Sequence, residues 1–185
     1  MGKHVETDGF AFEFADTVID AFVFDGSSQH VEQSHLNPVD IIAEFPDGDL
    51  FIELKKFEGG NVQFKCPLWG NKIVPACPLN DNDEKRSQAT INRLAKEIKD
   101  KYLHSLLHRQ AQGLTGNRKR YCVVVEGLGK GDIDNLNAKI KSQLPLFKRL
   151  PESFSQSIVD AFAVVDTKQW NTFEWLSKYG SCRIV

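Results

Sequence analysis

The chain has 185 residues, with 23 lysines and arginines against 25 aspartates and glutamates, a formal net charge of −2, 41% hydrophobic residues and 26% charged ones. That balance fits a soluble globular domain and excludes a disordered polyelectrolyte, a collagen-like fibre and a coiled coil. No run of about 18 apolar residues occurs, so no membrane span is expected, and Met1 to Glu6 lack the apolar stretch of a signal peptide. The expectation is one domain over residues 1–185, cytoplasmic, with no C-x-x-C pair and Cys66, Cys77, Cys122 and Cys182 as reduced thiols, the alternative being a disulfide or a zinc site at Cys66 and Cys77.

The first patterned segment runs from Phe10 to Phe24 after Asp8-Gly9. Phe10, Phe14, Val18 and Ala21 or Phe22 recur at helical spacing, with Glu13, Asp16 and Asp20 on the other side, so a helix ending near Gly26 is expected. The alternation of Phe10, Phe12 and Phe14 also permits a short strand. Residues 29–34 read as a weak strand. Val39–Phe45 and Leu50–Phe57 flank Pro46-Asp47-Gly48-Asp49 and form a hairpin, because proline, aspartate and glycine supply its turn chemistry.

Residues 58–83, rich in Gly, Pro and Asn, read as a long insertion loop. The longest helix is expected from Asp83 to Gly113, with Ile91, Leu94, Ala95, Ile98, Tyr102, Leu106 and Ala111 as its apolar stripe. A buried strand at 121–126, a helix at 132–144, a second buried strand at 158–165, a short helix at 167–178 and a terminal strand at 182–185 complete the pattern. Helices alternating with apolar strands indicate an α/β class with a mixed sheet.

Charge is unevenly placed along this order. Residues 1–54 carry twelve acids and one base, a net of −11, whereas residues 85–120 carry ten bases and two acids, a net of +8. Such a split suits a protein that holds a cation in one place and a polyanion in another, or a solvated basic helix packed on an acidic neighbour.

The hairpin concentrates chemistry. If Phe45 pairs with Leu50 across a four-residue turn, Ala43 faces Ile52, Ile42 faces Glu53 and Asp40 faces Lys55. Alternation then puts Ile41, Ala43, Phe45, Leu50, Ile52 and Leu54 on one apolar face, and Asp40, Glu53 and Lys55 together on the other, at the end away from the turn. Opposite Cβ atoms lie about 5 Å apart and diagonal ones about 7 Å. Two carboxylates at that spacing can share a hard divalent ion such as Mg2+, and a neighbouring ammonium can orient a water or stabilise developing charge.

Asp40, twelve residues, then Glu53-Leu54-Lys55 resembles the PD-(D/E)xK nuclease superfamily, the restriction-endonuclease-like fold. Phe12-Glu13-Phe14, followed by Val18, Phe22 and Gly26, also resembles the leading helix of many members, which often adds a glutamate to the metal site. The resemblance implies an αβββαβ core over roughly residues 10–126, a mixed central sheet flanked by helices, with β/α additions at the C-terminal end. It further implies metal-dependent hydrolysis of DNA phosphodiesters, with Mg2+ or substituting Mn2+ held by Asp40, Glu53 and Glu13, and Lys55 positioning the attacking water. In place of the usual proline directly before the acid, the order here is Asn37-Pro38-Val39-Asp40.

The basic helix offers Lys96, Lys99, Lys101 and Arg109 to a nucleic-acid backbone. By the same resemblance, Lys101 or Lys99 would approach the active site. His104 and His108 stand at i, i+4 without the glutamate of an H-E-x-x-H motif. Gly127-Leu-Gly-Lys-Gly131 lacks the spacing of a phosphate loop and reads as a turn. Trp69, Trp170 and Trp175 can stack on bases or simply pack. The function expected is a Mg2+-dependent deoxyribonuclease working on DNA as a homodimer or with a partner protein that supplies specificity. The alternative is a non-catalytic nucleic-acid-binding or assembly module with the same fold.

Overall fold

A computed structural model of the chain describes residues 2–25, 36–57, 64–65, 73–74, 84–114, 118–145 and 157–185. Its centre is a five-stranded mixed sheet in the order β3 (Asp20–Val23), β4 (Ile41–Phe45), β5 (Gly48–Lys56), β8 (Lys119–Glu126), β9 (Ala161–Val165). The β3–β4 and β4–β5 pairs are antiparallel; β5–β8 and β8–β9 are parallel. Parallel neighbours need a crossover, and two helices provide it: α1 (Glu84–Ala111) between β5 and β8, and α2 (Lys130–Gln143) between β8 and β9. A second sheet is antiparallel, in the order β1 (His4–Thr7), β2 (Phe10–Phe14), β10 (Gly180–Ile184). Two short helices, α3 (Thr167–Thr172) and α4 (Glu174–Ser177), precede β10. Within the 58–83 insertion only a small ladder is described, β6 (Phe64–Lys65) with β7 (Ile73–Val74). The weak strand expected at 29–34, Trp69, Cys66 and Cys77 lie outside the described residues.

Both faces of the central sheet are covered. On one, Ile42, Phe51, Tyr121, Val123 and Phe162 meet Leu94, Ile98 and Tyr102 of α1 and Ile133, Leu136 and Ile140 of α2. On the other, Ile41, Ala43, Leu50, Ile52, Leu54 and Val124 meet Phe10, Phe12 and Phe14 of β2 and Trp170, Leu176 and Tyr179. Burial on both sides explains why β8 reads as a continuous apolar run rather than an alternating one.

Three expectations need correction. The helix expected over residues 10–25 is instead two strands, β2 and β3. Asp8-Gly9 is not a helix start but the two-residue loop of the β1–β2 hairpin, with Thr7 opposite Phe10 and positive φ at both loop residues (52° and 77°). An Asp-Gly pair between alternating apolar residues favours that turn, and a five-residue run of three phenylalanines is buried more fully between two layers than on one helix stripe. Second, the β4–β5 loop has two residues, not four: Phe45 pairs with Gly48, Ala43 with Leu50 and Ile41 with Ile52. This register differs from the expected one by two residues, so every side chain keeps its face. Third, Ala111 is exposed, not part of the apolar stripe of α1.

Candidate active site

The β4–β5 ladder ends at the Ile41–Ile52 pair, with Asp40 and Glu53 the next residue on each strand. Here β4 and β5 part, and the Asp40 side chain closes the gap: its Oδ2 accepts the backbone N–H of Leu54 at 2.6 Å. The Asp40 carbonyl accepts from Phe24 at 2.8 Å, so the backbone is held on its β3 side as well. The segment leading to Asp40 is pinned to α1. Asn37 N donates to His104 Nδ1 at 3.1 Å, Val39 N to Ser105 Oγ at 2.8 Å, and Ser105 Oγ to the Lys101 carbonyl at 2.9 Å.

Glu53 and Lys55 project from β5 toward α1, on the face of Phe51. Glu53 is fully buried and Asp40 nearly so, at 6% exposure. Lys55 Nζ lies 2.8 Å from Glu53 Oε1 and 3.1 Å from Glu97 Oε1. Lys101 Nζ lies 2.9 Å from Glu53 Oε1 and 3.3 Å from Asp40 Oδ1. Both ammoniums thus crowd onto one oxygen of Glu53 as ion pairs rather than aligned hydrogen bonds. Glu53 Oε2 has no hydrogen-bond partner among the described residues.

Burial dominates the electrostatics. It pushes the Glu53 carboxyl up to about 7; Asp40 adds to that rise, and Lys55 and Lys101 oppose it. Burial disfavours the charge on Lys55, yet Glu53 and Glu97 outweigh it and hold that ammonium above the ordinary lysine range. Lys101 shows the same balance, with Glu53 and Asp40 outweighing burial. Asp8, in the β1–β2 loop, also belongs to this neighbourhood. Partial burial and then the negative charge of Asp40 raise its carboxyl above the usual value, while Lys101 and Lys55 pull it down.

The structure therefore brings Asp40, Glu53 and Lys55 together, and adds Lys101 and Glu97 from α1. It does not bring Glu13. That residue sits on β2, its side chain half-exposed, with Oε1 2.6 Å from His4 Nδ1. Once residues 10–14 form a strand, the helix that would have delivered this glutamate no longer exists. Among the described residues no group of three or more His, Cys, Asp or Glu side chains is gathered to hold a metal ion. Two hard oxygen donors, one of them on a buried and unpartnered atom, nevertheless suit a divalent cation better than any softer metal.

The basic residues divide. Lys96 is exposed, and Lys99 is partly exposed with its Nζ 3.0 Å from Asp100 Oδ1. Arg109 was expected to face a nucleic acid but is 3% exposed, pairing with Glu44 at 2.7 Å and Asp49 at 3.2 Å. It locks α1 onto the β4–β5 hairpin. His104 and His108 do not converge on a metal: His104 takes the Asn37 N–H, and buried His108 packs edge-on against Phe24. Residues 127–129 are the turn between β8 and α2, and Lys130 and Gly131 open α2; Gly127 is needed in the turn because a Cβ would meet the Phe57 carbonyl oxygen at 2.0 Å. Trp170 is a core residue, packed edge-on against Phe12 with its Nε1 donating to the Gly180 carbonyl.

Glu97 went unremarked in the sequence, and Lys101 was one of two candidates, although a signal existed for Lys101. Leu94, Ile98, Lys101 and Ser105 follow one another at spacings of four, three and four, so Lys101 interrupts the buried stripe of α1 with a charge. A charged residue there requires a buried partner, which Asp40 and Glu53 supply; Glu97, one turn before it, pairs with Lys55. Compared with known proteins, the chain matches no family model, no curated protein and no solved structure.

Proposed function

We propose that this chain is a metal-dependent nuclease of restriction-endonuclease-like architecture acting on DNA. The observation that carries the reading is the convergence of Asp40, Glu53 and Lys55 at one end of the β4–β5 hairpin, with a Glu53 oxygen buried and without a hydrogen-bond partner among the described residues. The sheet order β3-β4-β5-β8-β9, with two antiparallel and then two parallel pairs and α1 as a crossover, supports it as well. In chain order β3, β4, β5, α1 and β8 match the βββαβ part of the implied core, although a hairpin stands where the leading helix would be.

Asp40 and Glu53 would hold the cation, which when bound polarises a phosphoryl oxygen and acidifies a water. Lys55, held between Glu53 and Glu97, would orient that water and meet charge developing on the phosphorus oxygens. Leu54 points into the opposite core, which prevents β5 from rotating and keeps Glu53 and Lys55 aimed at α1. Exposed Lys96 and the partly exposed Lys99 would contact the phosphate backbone. Cutting both strands of a duplex calls for two such sites, hence a homodimer or a partner protein.

One observation favours the second reading, a non-catalytic binding or assembly module. Lys55 and Lys101 already neutralise the two acids from within the fold. Incubation of plasmid, single-stranded and branched DNA and RNA with Mg2+ or EDTA separates the two. A nuclease cuts at least one of them with Mg2+, and Lys55→Ala and Glu53→Gln abolish cutting. No cutting of any substrate, with no Mg2+-induced rise in Tm, overturns the nuclease reading and favours the module.

A further inference from the structure

We infer that Lys101 is a built-in counter-cation that competes with the divalent ion for Asp40 and Glu53, and so sets how tightly the site takes metal. The inference rests on the nuclease reading and concerns the regulation of that same site.

The geometry is specific to Lys101. Its ammonium is the only charged group among the described residues that touches both acids, at 3.3 Å from Asp40 Oδ1 and 2.9 Å from Glu53 Oε1. Lys55 touches Glu53 but turns its other side to Glu97. Lys101 is 6% exposed, so its pairing is not a screened surface contact, and it reaches the acids from α1 rather than from the strands that carry them. Any cation shared by the two carboxylates would meet a positive charge already at contact range. Like charges in a poorly hydrated pocket repel strongly, so the ammonium must withdraw from the two acids as the ion enters. Without it, Asp40 and Glu53 would face each other with only Lys55 to offset them, and the metal-free protein would be less stable. Lys101 therefore keeps the empty site folded at the expense of metal affinity.

A residue with only a packing role predicts the opposite sign, because its loss loosens the site and weakens binding. The test is Mn2+ titration of the full chain followed by electron paramagnetic resonance, for wild type, Lys101→Met and Lys101→Gln. Methionine keeps the buried stem and removes the charge. The expected result is Mn2+ binding at least about tenfold tighter in both variants, with a larger Mn2+-induced rise in Tm than in wild type. Equal or weaker binding in the variants, with wild type still binding, overturns the inference and leaves the nuclease reading standing. No Mn2+ binding by any of the three proteins removes both.

If neither variant folds, the wild type alone decides. Acetylation of Lys101, read by mass spectrometry against exposed Lys168, should be slow without metal and accelerate several-fold on Mn2+ addition. An unchanged or slower rate overturns the inference.

Discussion

Asp40 Oδ2 accepts the backbone N–H of Leu54 at 2.6 Å, so the acid that opens the candidate site also closes the hairpin on which the site is built. One carboxylate serves two ends. Its Oδ2 replaces a ladder hydrogen bond where β4 and β5 separate, and its Oδ1 faces Lys101 at 3.3 Å. Structural and chemical roles can be separated by substitution. Asp40→Asn retains an acceptor for Leu54 and should cost less stability than Asp40→Ala, which leaves a buried N–H unsatisfied at about 1–3 kcal/mol. Both should abolish metal-dependent cleavage. Denaturant unfolding of the two variants checks the stability difference, and equal losses would show that the Leu54 bond contributes nothing.

Glu53 predicts an unusual pH dependence. Its carboxyl titrates at about 7 in the folded chain against 4.5 when unperturbed, because burial disfavours its charge. Between those values the folded chain holds a proton that the unfolded chain has released, so stability falls as pH rises. The full effect is about 3 kcal/mol, accumulated between roughly pH 4.5 and 7. Lys55 and Lys101 stay charged in both states over this range and contribute no slope there. Unfolding free energies of wild type and Glu53→Gln should therefore diverge in their pH dependence between pH 5 and 8, with wild type losing more. Parallel curves would place the Glu53 titration elsewhere.

The same burial links metal to pH. A cation favours the ionised carboxylate, so Mg2+ should raise the Tm of the wild type more as pH rises from 6 to 8. Glu53→Gln should show little Mg2+ effect at either pH. Thermal scans with and without Mg2+ test this, and a Mg2+ shift that shrinks with rising pH contradicts it.

Arg109 and Lys96 separate stability from nucleic-acid contact. Arg109 is buried between Glu44 and Asp49, and burial raises the Asp49 carboxyl even beside that guanidinium. Arg109→Ala leaves the buried Asp49 carboxylate and the partly exposed Glu44 uncompensated and should cost about 3–5 kcal/mol of stability. Exposed Lys96→Ala should leave stability within about 0.5 kcal/mol. If the chain binds nucleic acid through this face, Lys96→Ala should lower the salt dependence of affinity by about one phosphate contact. A stable Arg109→Ala protein with weakened nucleic-acid binding would reverse these assignments.

Gly48 tests the two-residue hairpin loop. Its φ is +132°, and a Cβ there would stand 2.0 Å from the Arg118 carbonyl oxygen, whose partner is the Asp49 N–H at 2.9 Å. Gly48→Ala should cost at least about 2 kcal/mol, since backbone strain and a clash with backbone atoms add. Chemical denaturation measures it, and a loss below about 1 kcal/mol would mean that β5 and the entry to β8 do not approach so closely.

Period-two alternation in residues 39–57 by itself determined that Asp40, Glu53 and Lys55 share one face while Ile41, Ala43, Leu50, Ile52 and Leu54 share the other. A register error of two residues left that grouping intact, because side-chain direction repeats every two residues. The long helix, both parallel strands and the α/β class were legible for a similar reason, each being strongly periodic or continuously apolar over its length. Residues 10–14 were not, since five residues with three phenylalanines satisfy both periods, and only the layer that buries them selects the strand. Tertiary structure alone decided three further things: Glu13 ends beside His4 rather than Asp40, Arg109 is enclosed by Glu44 and Asp49, and Lys101 comes to lie between the two acids. Each depends on how α1 or β2 docks against the sheet, and docking is set by the sum of many small contacts distant in sequence, which no local pattern encodes.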